Sequence, residues 1–322
     1  MYNKIIVLLP VKNEAHVLDF YLKNASFFCD HIIIADQMST DDSREIYKKY
    51  PKTIVIDNKR EGHSNEVRWD LLKEARKLGD NNLLIALDAD EYIPNDLFKK
   101  FLNTEDFSIG NSFSFPWIQV WRNPEIYNVS KDWKDDYKAI AWVDDGKSDY
   151  EKIKVINDHT NRIPEPFLNK TKKIDYTPNI HLAFLFWKRQ EIKRVWYKCT
   201  ELIAGKRSAR RINEAYYLIL DKNNKKLASV KKEWIKGYKD DLLALQKSEN
   251  DKTKLKEIYN FFDTYTIEFF EPLEIWHLEE LENEFIKRTR RKPITKTYPQ
   301  WFIAIIKLRR KVKKIIKPNR IW

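Results

Sequence analysis

The sequence predicts an α/β protein, with helices packed on a mainly parallel sheet and a helical C-terminal extension. Three observations predict it. Short β-branched and apolar runs alternate with helix-patterned stretches over roughly the first ninety residues. Each run ends in polar or acidic residues, and carboxyl ends of strands are where open α/β sheets hold ligands. From about Lys188 onward, strand signals thin out and helical spacing takes over.

The first strand is Ile5 to Leu9, stopped by Pro10, after which Lys12-Asn13-Glu14 opens a helix with Val17, Leu18, Tyr21 and Leu22 on one face. The second, His31 to Ala35, delivers Asp36. Ser39-Thr40-Asp41-Asp42 then has the S-x-x-D form of a capping box and starts a helix through Ile46 and Tyr50. Thr53 to Ile56 forms a third strand, followed by a helix from about Ser64 to Leu78. The fourth, Leu83 to Leu87, is an apolar run of the kind that fills a buried parallel strand. Right-handed crossovers between these strands set their polar ends along one edge.

Asp88-Ala89-Asp90-Glu91 follows the fourth strand, so three carboxylates emerge together. Like charges so close repel unless a cation or a proton intervenes, and a hard divalent ion with oxygen ligands resolves the repulsion. A metal bridging a nucleotide's phosphates would neutralise the charge of a departing diphosphate. If the backbone stays extended, Asp88 and Asp90 point the same way. The competing reading is a solvated acidic turn.

Three segments resemble the family 2 glycosyltransferases: Leu8-Leu9-Pro10-Val11-Lys12-Asn13-Glu14, Ile34-Ala35-Asp36-Gln37-Met38-Ser39-Thr40-Asp41 and Leu87-Asp88-Ala89-Asp90-Glu91, in that order and at that spacing. The Leu-Asp-Ala-Asp-Glu form is similar to a bacterial branch that decorates surface glycans. The resemblance covers about the first hundred residues, loosens toward residue 200 and is silent beyond. It implies a GT-A (Rossmann-like) nucleotide-sugar-binding domain, an inverting sugar transfer and a divalent metal, Mn2+ or Mg2+. It implies Asp90 as principal metal ligand, with Asp88 on the metal or the ribose, and Asp36 accepting the imino hydrogen of a base, which suits a UDP-sugar. Pro10 and Val11 would offer backbone groups to the nucleoside and Glu14 would orient it, although a first-turn carboxylate also complements the helix dipole. After Gly62 the family pattern departs to Glu66-Val67-Arg68-Trp69, and Arg68 is carried over as a donor contact.

A third metal ligand must come from elsewhere in the chain. The resemblance favours His181, inside the apolar Pro178 to Phe184, over a hydrogen-bonded core histidine; His159 is the competitor, and His63 would decorate a donor-side loop. For the base that deprotonates the acceptor hydroxyl, Glu165 between two prolines ranks above Asp145 and Asp144, which also read as an ordinary turn before Gly146. Trp117, Trp121, Trp133 and Trp142 could offer a stacking platform for an acceptor sugar, or fill the core.

The expected organisation is a glycosyltransferase domain over residues 1–200 (nucleotide half 1–105, acceptor half 106–200), a helical extension over 201–286 and a basic tail over 287–322. A hydrophobic content of 43% supports a full core. Cys29 and Cys199 suit neither a disulfide framework nor a C-x-x-C metal site and fit a reducing compartment. No signal peptide is read at Met1, and no apolar run reaches the ~20 residues that cross a bilayer. Arg207, Arg210 and Arg211 could meet donor phosphates or form a solvated helix face. Glu214 to Leu220, Val230 to Leu245 and Leu255 to Phe270 suggest helices.

The net charge of +12 is concentrated in the tail: Lys287 to Trp322 holds fourteen basic residues and no acid, leaving the rest at −2. Trp301 to Ile306 precedes cations interleaved with Leu308, Val312, Ile315 and Ile316, the pattern of a helix lying on an anionic membrane. The expected partners are a nucleoside-diphosphate sugar, a glycan or lipid-linked glycan acceptor and an anionic membrane surface. The expected location is cytoplasmic, peripheral at the inner face of the cell membrane. Nucleic-acid binding by the tail and metal-dependent nucleotidyl transfer are the alternative functions.

Overall fold

The computed structural model describes residues 2–60, 66–130, 133, 135–150, 161–216, 226–247, 253–294 and 308. It divides into two compact units, residues 1–187 with 225–250, and residues 188–224 with 251–322. The first boundary therefore falls at Trp187, short of the expected residue 200, and part of the expected helical extension returns to the first unit.

The first unit is built on four parallel strands, β1 (Ile5–Val11), β2 (His31–Asp36), β3 (Thr53–Asp57) and β4 (Leu83–Ala86), in the order β3-β2-β1-β4. Both faces of β1, β2 and β4 are covered, which fits their unbroken apolar runs, while β3 at the sheet edge leaves Val55 41% exposed. Val7, Leu9, Ile32, Ile34 and Ile85 pack in one core with Val17, Leu18, Tyr21 and Leu22 of α1 (Ala15–Ser26), the face expected from helical spacing. Ile6, Leu8, Ile33, Ala35 and Leu84 pack in a second core with Val67, Leu71, Leu72 and Ala75 of α3 (Glu66–Arg76). The helix between them, α2 (Ser43–Tyr47), is shorter than the sequence suggests.

Past β4 the sheet becomes mixed. β5 (Glu91–Tyr92) and α4 (Asn95–Thr104) follow, then β6 (Ser112–Gln119), β7 (Ile126–Asn128), β8 (Tyr137–Val143), α5 (Glu165–Leu168), β9 (Thr171–Lys173) and β10 (Asn179–His181). β8 runs antiparallel between β4 and β6, β10 lies parallel to β6, and β5 closes on β10 antiparallel. The expected mainly parallel α/β fold with a helical C-terminal region is present.

α6 (Trp187–Ile203) leads into the second unit, continued by α7 (Ala209–Tyr216). The chain then revisits the first unit, where β11 (Leu227–Ser229) pairs with β7. The single helix expected over Val230 to Leu245 is two, α8 (Lys232–Ile235) and α9 (Lys239–Lys247). Extended Lys236 and left-handed Gly237 (φ 81°) separate them. Trp234, Ile235 and Leu242 join the first unit's core. The second unit is completed by α10 (Thr253–Tyr265), a 3-10 turn (Glu268–Phe270) and α11 (Glu279–Thr289), around Ile192, Val195, Cys199, Ile258, Phe262 and Trp276. Cys29 and Cys199 are buried free thiols. No helix among the described residues is long and apolar enough to cross a membrane.

Candidate functional site

At the carboxyl edge of the parallel strands, two loops are sewn together. The Val11 carbonyl accepts the Gln37 N–H (2.7 Å). Asn13 adopts a left-handed φ of 56°, tolerable for asparagine. Its N–H donates to Ser39 Oγ (2.9 Å), and its Oδ1 accepts from the Thr40 N–H (2.8 Å). The Ala15 N–H donates to Asp41 Oδ2 (3.0 Å). This corrects the expected capping box, because Ser39 and Asp41 serve the neighbouring loop and the cap of α2 falls to Asp42, without a side-chain bond. Asp36 is fully buried; its Oδ1 accepts the Ser39 N–H (2.7 Å). Its Oδ2 lies 3.3 Å from Arg44 Nε but outside hydrogen-bonding alignment, so it has an ionic neighbour and no hydrogen bond.

The acidic motif sits where strand order reverses between β1 and β4, the position at which α/β sheets open a crevice. The backbone does not stay extended there. The chain turns, with the Glu91 N–H donating to the Asp88 carbonyl (3.0 Å), and Asp88 and Asp90 diverge. The Leu182 N–H donates to the Asp90 carbonyl (2.7 Å), and β5 sets Glu91 opposite His181. Asp90 and His181, ninety-one positions apart, thereby meet at 3.1 Å between Oδ2 and Nε2. The β6–β10 register brings Gln119 level with His181, and its Oε1 lies 2.6 Å from Nδ1. With that amide oxygen facing the ring, Nδ1 carries the proton and a neutral imidazole turns its Nε2 lone pair on the Asp90 carboxylate. Two lone pairs at this distance need a cation or a proton between them. Burial by itself would lower the His181 pKa, but Asp90 above all, and Glu91, raise it instead.

Asp88 is committed elsewhere. Arg162 Nη2 lies 2.6 Å from its Oδ2 and Arg68 Nη2 lies 3.5 Å from its Oδ1. Arg162 also grips both oxygens of Glu91, whose carboxylate is entirely shielded from solvent. Glu91 accepts in addition from Trp117 Nε1 (2.6 Å) and the Asp88 N–H (3.2 Å). Burial opposes the charge on Arg162, but Asp88 and Glu91 lift its pKa far above the usual value. The expected trio of Asp88, Asp90 and His181 is thus an Asp90–His181 pair beside an Asp88–Arg162–Glu91 clamp. Among the described residues, no group of three or more His, Cys, Asp or Glu converges on one metal position. Asp90 and His181 do form a donor set that a divalent ion accepts, one carboxylate and one imidazole, with further ligands left to the phosphates of a donor.

The remaining expected residues divide by place. Arg68, on the first turn of α3, is in the cluster. Val11 is buried, and Glu14 has its N–H on Ser43 Oγ (3.2 Å) and its carboxylate 3.6 Å from His16 Nδ1. Pro10 pairs with Ala35 in the β1–β2 ladder, next to these loops. Glu165 opens α5, three residues beyond Arg162, and belongs to the surroundings of Tyr150. Burial raises the pKa of that tyrosine, as does the charge of Glu165, while Arg68 lowers it. Its hydroxyl donates to the Arg162 carbonyl (2.9 Å). Asp144 and Asp145 stand apart. The Asp144 N–H donates to the carbonyl of Asn82 (3.0 Å), immediately before β4 begins. They therefore lie at the amino edge of the sheet, roughly 15–20 Å of strand away from Asp88. Asp144 is locked by Arg76 through two bonds of 2.8 Å, and Asp145 caps its own turn through Lys147 and Ser148. That geometry corrects their selection as bases near the motif.

Trp142 is fully buried, and Trp121 stacks on Phe184 (4.6 Å). Trp117 stacks on His181 (4.7 Å) and carries Lys138 over its ring (4.3 Å). Trp133 lies 6.2 Å from Trp117 and is half-buried. Arg207 and Arg210 pair with Glu201 and Glu214 in the second unit, as a solvated helix face would. His63, His159 and the basic C-terminal segment beyond Ile294, apart from Leu308, lie outside the described residues. Sequence reasoning missed Arg162, Gln119 and the clamp on Glu91. Glu91 was visible beside the motif, but nothing local marks Arg162, seventy-one positions from its partner.

Residues 6–108 match the family model described as glycosyl transferase family 2. No curated protein matches the chain. Among solved structures, TarS residues 1–349 of S. aureus in complex with UDP-GlcNAc is similar at 18% identity and a TM-score of 0.28, over 37% of this chain and 34% of that one. The chain thus spans about a third of that protein's length. A 4-diphosphocytidyl-2C-methyl-D-erythritol synthase is similar at 14% identity and a TM-score of 0.33, over 44% of this chain and 76% of that one. Glucosyl-3-phosphoglycerate synthase from Mycobacterium tuberculosis, solved with Mn2+, UDP and glucosyl-3-phosphoglycerate, is similar at 20% identity and a TM-score of 0.26, over 36% and 43% of the two chains.

Proposed function

We propose that this chain, a member of glycosyl transferase family 2 through its residues 6–108, moves a sugar with inversion from a nucleoside-diphosphate sugar, UDP-linked by preference, onto a glycan or lipid-linked glycan acceptor. The observation that carries the reading is the Asp90–His181 pair, 3.1 Å apart at the switch point of the sheet, with Arg68 reaching the neighbouring Asp88 at 3.5 Å. A carboxylate facing an imidazole nitrogen is a cation position, and guanidinium groups suit a diphosphate. Asp90 and His181 would hold the divalent ion. When bound, that ion would neutralise charge growing on the departing diphosphate.

The chain's own residues supply the rest. Arg68 favours an anionic leaving group at the mouth of the site and holds Asp88. Gln119 fixes the tautomer of His181 and Trp117 fixes the plane of its ring, so the nitrogen offered to the cation is set before any ligand arrives. Asp36 Oδ2, with no hydrogen bond of its own, has the lone pairs that a uracil imino group would take once the 37–42 turn yields. Glu165, rigidly placed between Pro164 and Pro166, is the base that takes the proton of the attacking hydroxyl. The basic C-terminal segment would keep the protein peripheral at the inner face of the cell membrane, where a lipid-linked acceptor is presented.

Donor hydrolysis tests the reading. Release of free nucleoside diphosphate from a UDP-sugar should require Mn2+ or Mg2+ and should fall at least ~100-fold in Asp90→Ala, the order of loss for a group that stabilises leaving-group charge. Pyrophosphate as product would indicate nucleotidyl transfer instead. Equal turnover by Asp90→Ala would remove the assignment.

A further inference from the structure

We propose that the second unit carries a bilayer-seating face of its own, the exposed edge formed by Tyr265, Phe269 and Ile294, which enters the interface of an anionic lipid membrane. The proposal rests on the reading of the basic C-terminal segment as a membrane attachment and extends it onto the folded residues that precede that segment.

The edge follows from local structure. α10 buries Leu255, Ile258 and Phe262 and ends at Tyr265. Thr266, left-handed at φ 61°, then turns the chain into the 3-10 turn. Two adjacent phenylalanines of that turn, their rings edge to face at 5.0 Å, differ in burial. Phe270 is fully buried against Phe262 (5.3 Å between rings), while Phe269 stays 43% exposed, its ring 5.9 Å from that of Tyr265, also 43% exposed. After α11, Arg290 takes a left-handed φ of 60° and the chain folds back. Arg291 Nη2 bonds Glu271 Oε2 (2.8 Å), and the Ile294 N–H donates to Glu271 Oε1 (3.0 Å). Two residues from Phe269, this contact fixes Ile294, 65% exposed, onto the same stretch of chain.

Charge selects the partner. The acids of this edge are paired: Asp263 with Arg288 (2.6 Å), Glu284 with Arg288 (2.7 Å) and Lys287 (3.6 Å), and Glu271 with Arg291. Glu268 is exposed and within the field of Arg291. Arg290 and Lys292 are exposed and have no carboxylate partner among the described residues. From Thr295 to Trp322 the sequence then adds nine basic residues and no acid. Exposed apolar side chains followed in the chain by a run of cations fit the headgroup boundary of an anionic bilayer, with rings in the acyl margin and cations on the phosphates. Duplex nucleic acid would take the cations but gives Ile294 nothing apolar to meet.

Flotation of the full chain with phosphatidylglycerol-containing and pure phosphatidylcholine vesicles separates the two layers of the claim. Wild type should float with the anionic vesicles, and part of that binding should survive about 0.5 M salt, where surface charges are screened within a few ångströms. Tyr265→Ser/Phe269→Ser, and separately Ile294→Ser, should keep the low-salt binding. The double variant should lower the salt-resistant fraction on the order of tenfold, the loss expected for apolar area withdrawn from the interface. Donor hydrolysis and melting temperature should not change. A salt-resistant fraction equal to wild type in both variants overturns the inference and leaves the basic segment as the attachment. Failure of wild type to float even at low salt overturns the attachment reading itself and the inference with it. A wild-type dimer that the double variant converts to monomer, without loss of vesicle binding, overturns it in favour of a second copy as the occupant.

Discussion

Replacing Arg162 by methionine tests the clamp that organises the acidic motif. Its guanidinium is 12% exposed and is the cationic partner of Glu91, whose carboxylate has no solvent contact. Breaking a buried pair from one side costs about 3–5 kcal/mol, because the surviving charge is stranded. Trp117 Nε1 and the Asp88 N–H would still serve Glu91, and Asp88 is open enough to solvent to rely on Arg68 and water, which argues for the lower end. The expected loss is about 3 kcal/mol, which for a folding unit of ~200 residues is a drop in melting temperature of about 6–12 °C. Urea unfolding followed by tryptophan fluorescence measures it. Arg162→Met/Glu91→Gln should recover more than about 1 kcal/mol, since a neutral amide needs no counter-charge yet still accepts from Trp117. A single-variant loss under about 1 kcal/mol, or a double variant no better than the single, would refute the stranded-charge argument.

Two further outcomes follow from other buried charges. Asp144→Ala should cost about 3 kcal/mol by stranding Arg76, while donor turnover per folded molecule stays at the wild-type value; a large loss of turnover with unchanged stability would restore Asp144 as a base. In the second unit, burial lowers the pKa of Lys198 from 10.5 to about 8, against the opposing charge of Glu274. The unfolded chain therefore holds the proton that the folded chain gives up between these values, so the cost of the buried cation is fully present below pH 8 and is relieved as pH rises toward 10.5. Relative to Lys198→Met, which subtracts the other alkaline titrations, wild type should gain up to about 3 kcal/mol of stability between neutral pH and pH 10. A difference that stays flat with pH would show that the ammonium is solvated.

The strands and first helices were legible because their signals are local. An unbroken apolar run bounded by turn residues reads as a buried strand, and β1, β2 and β4 are covered by α1 on one side and α3 on the other. The positions of Asp36, Asp88 and Asp90 at strand ends were legible for the same reason, whereas Arg68, on the first turn of α3, was carried over from a family resemblance. His181 was reached through a family resemblance, and the geometry that sets it against Asp90 is a strand pairing between distant segments. Ser39 shows the limit of local reasoning: its spacing to Asp42 matches a capping box, yet the neighbouring loop competes for its hydroxyl oxygen and takes it.

The sequence by itself determined which faces are apolar, where the strands stop, and that the acids leave the sheet at its ligand-binding edge. Those properties depend on periodicity and on residues a few positions apart. Which acid meets histidine and which meets arginine was decided only by tertiary structure. A turn at Ala89-Asp90 sends the two aspartates in different directions, and partners seventy to ninety positions away compete for them through a low-dielectric interior that no local pattern encodes.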